Sequence, residues 1–362
     1  MEIKKNKKRV VVGMSGGVDS SVAALLLKEQ GFEVVGLHMR GENQETRVQD
    51  ENRVRELCLK LDIKCEVVDY SSHMQIVKDY FVKEYAKGRT PNPCVVCNRE
   101  VKFNPFVDYA NINGFDYFAT GHYANIEHVN NEHVLKVAKD EDKDQTYFLC
   151  QLSQKQLEKA LFPLGKLTKA EVRKIAEVNG LISANTKDSY DVCFVGSEKF
   201  KDFMSKNYPE RKGDIVDASS GEIVGEHSGI SKYTIGQRRN LGIGGRKNGN
   251  GNSWFVVSKD VKNNILYVTQ GEGAELSSVG LVSGKMNWIP QKPTENEFSC
   301  LAKFRYRQVS QPVVVKVLED DKIKVEFREA QRAITIGQYV VLYTEEGQCL
   351  GGTTIEEVIK NK

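Results

Sequence analysis

No apolar run in this sequence comes near the roughly 20 residues that span a bilayer; its aliphatic stretches are short, such as VVV (10–12) and AALLL (23–27). No membrane association is expected. The basic opening MEIKKNKKRVVVGM passes into a strand-like run without an apolar signal core or cleavage site, so secretion is not expected either. Cysteine is sparse: eight in 362 residues is far from disulfide-scaffold density, and a reducing, cytoplasmic setting is the expectation. Charge of one sign is lacking as well. Lys plus Arg number 52 against 49 Asp plus Glu, and the net +3 neither demands nor excludes a nucleic-acid partner. What remains is a globular composition over a length that suggests two or three domains.

Over the first 200 residues, strand and helix patterns alternate. RVVVGM (9–14), EVVGLHM (33–39), KCEVV (64–68) and FDYFAT (115–120) read as strands. Helical patterns lie between them, at about 18–30, 47–61, 73–87 and 99–112. Thr168 and Glu171 form a capping box at the head of a further helix, with Gly180 at its end. This alternation predicts an α/β domain with a parallel sheet covered on both faces. Beyond about residue 210 the helical period fades and short alternating runs take over. In one, Val313, Val315 and Val317 are answered across a turn at Asp320-Asp321 by Ile323, Val325 and Phe327. The reading is an α/β domain (1–207), a small β-rich linker domain (208–279) and a C-terminal β-barrel (280–362).

The strongest local signal is Gly13-Met14-Ser15-Gly16-Gly17-Val18-Asp19-Ser20-Ser21, which leaves the first strand and opens the first helix. Open α/β sheets bind ligands at that edge, and converging backbone amides with a helix N-terminus favour phosphate. No GK[ST] follows and no GxGxxG is present, which excludes a Walker A loop and a dinucleotide fingerprint. A loop without lysine but with Asp19 fits phosphates that arrive with Mg²⁺. The bland alternative is a glycine-rich turn in which Asp19 or Ser20 merely caps the helix.

A second cluster, Thr90-Pro91-Asn92-Pro93-Cys94-Val95-Val96-Cys97-Asn98, precedes a helix, and Cys193 sits in KDSYDVCFVG (187–196). A thiol near a helix N-terminus is shifted toward thiolate. The set therefore suits persulfide chemistry, in which one sulfur attacks and another resolves. Zinc is disfavoured, because no second CxxC supplies four ligands. A [4Fe-4S] cluster on Cys94, Cys97 and Cys193 with one open iron, and plain packing of all three, are the other readings. Cys58, Cys65, Cys150, Cys300 and Cys349 read as packing residues.

SGGVDSS resembles the loop of the N-type ATP pyrophosphatases, which cleave ATP to AMP and pyrophosphate. With TPNPCVVCNREVKF, KDSYDVCFVG, ATGHYA (119–124), KDQTYFL (143–149), YTIGQRRNLGIGG (233–245), FRYRQ (304–308) and GQCLGG (347–352), the chain closely resembles the bacterial tRNA-specific 2-thiouridylases along nearly its whole length. The resemblance implies an adenine nucleotide alpha hydrolase-like N-terminal fold. It also implies ATP-dependent 2-thiolation of the wobble uridine, position 34, of tRNAs for Lys, Glu and Gln. Gly13, Met14, Ser15, Gly16, Gly17, Val18, Asp19, Ser20, Met39 and Gly121 fall on its ATP positions. Cys97 matches the nucleophile and Cys193 the persulfide carrier, two residues able to form a disulfide after transfer. Asn92, Pro93, Cys94, His122, Lys143, Asp144, Gln145, Arg305, Tyr306 and Gln338 fall on its tRNA contacts. The implied partners are the tRNA anticodon stem-loop and a persulfide donor, a cysteine desulfurase or its relay. Two departures stand out: the family often has Asp where this chain has Cys94, and HMRGENQET (38–46) lacks the tryptophan-containing stretch many members carry.

Other features support RNA as partner without requiring it. Lys232 to Gly251 holds five basic residues and no acid, a phosphate grip or else a solvated loop. An anticodon loop presents the unpaired bases that sequence-specific RNA recognition prefers. Two other functions fit parts of the chain: a small-molecule ATP-dependent ligase, and a non-catalytic metal-bearing RNA-binding module.

Overall fold

The computed structural model describes residues 7–40, 44–184, 203, 204, 206, 211–243, 252–271 and 273–361. In the N-terminal part the chain runs β1 (Arg9–Gly13), α1 (Val18–Glu29), β2 (Glu33–Arg40), α2 (Gln44–Lys60), β3 (Lys64–Asp69) and α3 (Ser71–Ala86). It continues through α4 (Pro93–Val96), a π-helix (Cys97–Phe103), α5 (Asn104–Ile112), β4 (Tyr117–Ala119), the hairpin β5 (Asn125–Val129) and β6 (Glu132–Lys136), α6 (Thr146–Leu149), α7 (Gln154–Lys159), β7 (Ala160–Leu161) and α8 (Lys169–Val178). The sheet order is β3-β2-β1-β4-β7, and every neighbouring pair is parallel. Val10, Val11 and Val12 are wholly buried, because helices cover both faces; that is why β1 reads as an unbroken β-branched run rather than an alternation.

Two differences from the sequence reading have local causes. The single helix expected over 99–112 is broken into the π-helix and α5, with Pro105 in the first turn of α5. The hairpin β5–β6 and the two-residue strand β7 are too short, and β5 too exposed, to leave a periodic signal. The capping box at α8 is formed as read: Thr168 Oγ1 accepts from Glu171 N–H, and Glu171 accepts from Thr168 N–H at 2.6 Å.

Four strands, β8 (Gly213–Asp217), β9 (Ile223–His227), β10 (Trp254–Asp260) and β11 (Ile265–Gln270), form the next sheet in the order β10-β11-β8-β9. The rest is β12 (Ser277–Lys285), β13 (Asn287–Trp288), β14 (Glu297–Lys303), β15 (Gln311–Val317), β16 (Lys322–Arg332), β17 (Tyr339–Tyr343) and β18 (Cys349–Ile359). Six of these close into a barrel, β12-β16-β15-β14-β17-β18, with β18 pairing back onto β12 and β13 lying on β18. Val313 stands opposite Phe327, Val315 opposite Val325 and Val317 opposite Ile323, around a turn in which Asp320 and Asp321 take the left-handed conformation.

The barrel shares a core with the α/β domain. Ile289, Tyr339, Val341, Tyr343 and Cys349 pack in one cluster with Phe103, Phe118, Tyr147, Leu149 and Leu157. Burying a side chain of this size is worth about 1.5–3 kcal/mol. The junction is pinned by Tyr147 OH donating to Tyr339 O (3.0 Å) and Asn287 Nδ2 donating to Cys150 O (3.0 Å) and Leu152 O (3.1 Å). Among the described residues no helix is long and apolar enough to cross a membrane.

Candidate active site

The glycine loop leaves β1 at the carboxyl edge of the sheet. Met14 donates its N–H to Leu37 O (2.8 Å), and buried His38 donates from Nδ1 to Met14 O (3.0 Å), so both backbone groups entering the loop are fixed. Ser20 Oγ accepts from Ser15 N–H (3.2 Å), lies 3.2 Å from Ser15 Oγ and donates to Gly17 O (3.1 Å). Gly17 is the N-cap of α1 and no side chain caps that helix. Its first-turn amides have no intrahelical acceptor, and neither Asp19 nor Ser20 is the N-cap of this helix. Val18 is in the core, and Arg53 of α2 lays its stem beside Gly16.

Asp19 faces across the loop. Lys169 Nζ lies 2.7 and 2.8 Å from its two carboxylate oxygens, and Tyr123 OH donates to Oδ1 at 2.8 Å. Gly121, just past β4, packs against this turn: a β-carbon there would come within 2.8 Å of Asp19 C and Ser20 N. Only glycine permits that approach. His122 follows, its ring 5.7 Å from Phe103 and 6.1 Å from Phe162, with Nδ1 2.7 Å from Thr120 Oγ1. Burial, and after it the Lys102 ammonium, holds this imidazole well below its usual pKa, so it is neutral at pH 7.

Phe103 ends the π-helix that Cys97 begins, so the glycine loop and the cysteine turn are joined through Gly121, His122 and Phe103. Such helices are rare and occur often at functional sites. Asn92 precedes α4 and Pro93 stands in its first turn. Cys94 is exposed, whereas Cys97 is buried among Val77, Val96 and Val101, with Met39 and Tyr80 against it. Two buried polar atoms in and around this turn make no hydrogen bond within the described residues: Thr90 Oγ1 and Asn98 Oδ1.

Residues 8–197 match the tRNA methyl transferase HUP domain, 201–270 the tRNA methyl transferase PRC-barrel domain and 278–355 the aminomethyltransferase beta-barrel domain. The tRNA-specific 2-thiouridylase MnmA of Bacillus cytotoxicus is 46% identical over 361 residues, covering 98% of this chain and 96% of its own. That of Alkaliphilus oremlandii is 48% identical over 360 residues, covering 97% and 98%. The chain belongs to the tRNA-specific 2-thiouridylase family. Among solved structures, the U34-tRNA thiolase NcsA from Methanococcus maripaludis with its [4Fe-4S] cluster overlaps 57% of this chain and 69% of its own, at 21% identity and a TM-score of 0.37; its cluster is that protein's own.

In this 2-thiouridylase family member the remaining expected contacts are dispersed. Asp144 is buried, with Oδ1 accepting from Ala138 N–H (3.0 Å) and Oδ2 from Thr146 Oγ1 (2.7 Å), and burial raises its pKa. Gln145 is tied to Tyr123, its Oε1 accepting from Tyr123 N–H at 2.9 Å. Gln145 thus braces, through Tyr123, the Asp19 side of the site, and Lys143 lies two residues before it in the chain. Gln338 donates from Nε2 to Thr90 O (2.9 Å) and Pro91 O (3.4 Å), so this barrel residue grips the cysteine loop. Arg305 donates to Arg332 O (2.6 Å) and Ala333 O (3.2 Å), and Tyr306 lies on Phe148 with ring centroids 4.3 Å apart. Tyr306 packs against the shared core, and Arg305 beside it is exposed. Cys193 and the basic residues of 244–251 lie outside the described residues.

Of the five cysteines assigned to packing, Cys58, Cys150 and Cys349 are buried and Cys65 and Cys300 half-buried. Burial pushes the Cys58, Cys300 and Cys349 thiols up to about 12, far from reactive. The sequence reading passed over Lys169, Tyr123, His38 and Arg53. Lys169 carries a signal in retrospect, a cation at the first position of a capped helix, where the dipole disfavours it. His38 carries another, a histidine in a strand that is otherwise apolar from Val34 to Met39.

Proposed function

We propose that this chain is a tRNA-uridine 2-sulfurtransferase acting in the cytoplasm on the wobble uridine, position 34, of tRNAs for Lys, Glu and Gln. The observation that carries the reading is the junction of a lysine-free glycine loop with a cysteine-bearing π-helix, through Gly121, His122 and Phe103, at one sheet edge. Chemistry on a carbonyl oxygen with an ATP-derived leaving group, followed by sulfur attack, needs these two units side by side.

In this reading the C2 oxygen of the uridine bonds to the α-phosphorus of ATP, and the bond to the bridging oxygen breaks. Pyrophosphate leaves with that electron pair, and the uridine N3 proton goes to solvent. The terminal sulfur of a persulfide on Cys193 then bonds to C2, and AMP departs with the electron pair of the C2–O bond. Cys97 attacks the Cys193 sulfur, which frees the transferred sulfur and leaves a Cys97–Cys193 disulfide for a cellular dithiol to reduce. A sulfur-donor protein, a cysteine desulfurase or its relay, reloads Cys193. Asn92, Pro93 and Cys94 border the base, with the unpartnered atoms of Thr90 and Asn98 nearby to read it. In this reading Arg305, Tyr306 and the basic residues of the run from Lys232 to Gly251 contact the RNA, while Gln338 acts through the cysteine loop it holds.

The oxygen donors fit Mg²⁺ carried in by the nucleotide: one carboxylate, Asp19, beside serine hydroxyls, rather than an all-protein cage. Bound there, the ion would neutralise phosphate charge. A second reading puts a [4Fe-4S] cluster on Cys94, Cys97 and Cys193; the observation favouring it is that Cys94 is exposed one helical turn from Cys97. Incubation with ATP, a persulfide donor and unmodified tRNA-Glu, followed by nucleoside mass analysis, should yield 2-thiouridine. No product with the active donor would sink the assignment. An anaerobic absorbance spectrum without charge-transfer bands favours the persulfide route over the cluster.

A further inference from the structure

The glycine loop has no lysine of its own, yet a lysine ammonium stands at it. Lys169 comes from α8, 150 positions along the chain, and meets both oxygens of Asp19 at 2.7 and 2.8 Å. Its backbone is held at the helix head by two carboxylates: Asp140 accepts from Lys169 N–H (2.8 Å) and Glu171 from Thr168 N–H (2.6 Å). The Glu171 carboxyl is itself held down to about 2, first by that backbone donor and then by the Lys139 ammonium, so this clamp stays charged. A cation at the first position of a helix works against the dipole. The arrangement accepts that cost to carry an ammonium across to α1. The pair lies at a mouth rather than in the interior or on open surface, with the Lys169 side chain 12% and the Asp19 side chain 34% exposed. Charges in such a setting act more strongly on a ligand than fully solvated ones. Gly121 packs directly on this turn, where a β-carbon would stand 2.8 Å from Asp19 C and Ser20 N.

We infer that Lys169 is the cation of this phosphate site and binds the pyrophosphate end of the nucleotide. The inference rests on the function proposed above. As the bond between the α-phosphorus and the bridging oxygen breaks, the departing pyrophosphate gains the electron pair. The Lys169 ammonium keeps its protons and meets that charge with hydrogen bonds, as a loop lysine does in P-loop enzymes. Lys169 would then act as a catalytic residue that stabilises the leaving group, not only as the partner of Asp19.

The alternative is that Lys169 merely holds Asp19 in place, and a double-mutant cycle separates the two. Inorganic pyrophosphate in EDTA is titrated calorimetrically into the full chain, into Lys169→Met, Lys169→Arg and Asp19→Asn, and into Asp19→Asn combined with Lys169→Met. Lys169→Met should weaken pyrophosphate binding about tenfold or more in both the native and the Asp19→Asn backgrounds, and Lys169→Arg should retain most of the affinity. A change below twofold in the Asp19→Asn background would overturn the inference and leave a structural ion pair. Melting curves identify a variant that fails to fold; the Arg variant then decides, since a direct phosphate ligand predicts that its affinity stays near native, and a loss of tenfold or more with an intact melt counts against it. If the native protein forms 2-thiouridine while the Lys169 variants bind pyrophosphate normally, this inference alone falls. If the native protein neither thiolates nor binds pyrophosphate, the proposed function falls with it.

Discussion

The phosphate loop and the cysteine loop lie at one edge of one domain and each leads into a helix, yet different parts of the chain hold them. The phosphate loop is tied to its own sheet: Leu37, His38, the Ser15–Ser20 pair and Gly121 all belong to the α/β domain. The cysteine loop is tied to the barrel. Thr90 N–H donates to Ile336 O (2.9 Å), Gln338 Nε2 donates to Thr90 O and Pro91 O, and Arg89 reaches Ile355 O (3.4 Å). Gly337, at φ +93°, brings its backbone so near that a β-carbon would stand 3.0 Å from Thr90 N and O. The difference teaches a division of labour: the glycine loop is assembled within one domain, whereas the placing of the cysteine loop depends on the barrel.

The comparison breaks most visibly at Gly121. Gly121→Val drives a side chain into the first turn of α1 and should lower ATP affinity more than about a hundredfold, read by equilibrium binding, while circular dichroism stays native; near-native ATP binding would refute the close packing as a requirement. The converse test is Gln338→Ala. Two neutral hydrogen bonds at about 1 kcal/mol each predict a ten- to thirtyfold fall in 2-thiouridine formation with ATP affinity within twofold of native. Equal loss of both would mean that the two loops are not independently held. His38→Leu leaves Met14 O buried without its donor and should cost about 1–3 kcal/mol of stability in urea, with the cysteine loop unaffected. An unchanged midpoint would remove His38 from the list of loop-holding residues.

The smallest expected effect concerns pH. His122 has its folded pKa depressed below 6.5, so below about pH 6.5 the unfolded chain takes up a proton that the folded one refuses, and stability falls as the pH drops through that region. His122→Gln should flatten this part of the acid limb between pH 7 and 5 in thermal melts. An identical pH dependence in the variant would show that the imidazole titrates normally in the fold.

The legibility of these two regions in the sequence follows from the same division. The parallel strands and the glycine loop were readable because burial on both faces leaves β-branched runs and because phosphate loops need glycines at set places. The hairpin around Asp320-Asp321 could be anticipated from alternation alone, as the pairing of Val313, Val315 and Val317 with Phe327, Val325 and Ile323 demonstrates. The break at Cys97 was not readable, since a π-helix uses the same helix-forming residues as the α-helix it interrupts. Nor was the duty of Gln338, whose amide could as well have faced RNA as the carbonyls of Thr90 and Pro91. Asp144 looked like a solvated member of KDEDKD, and its burial came from Ala138 and Thr146 folding over it.

The sequence by itself determined the chemistry on offer: a loop for phosphates, thiols at a rigid proline turn, and alternating strands that must close on one another. Those are matters of residue type and near-neighbour spacing, which local stereochemistry imposes on any chain. Only the tertiary structure decided which groups meet. Lys169 reaches Asp19 across 150 residues, and Gln338 reaches Thr90 across 248. Contacts at such separations are set by how packed layers bring remote segments together, and no local pattern encodes them.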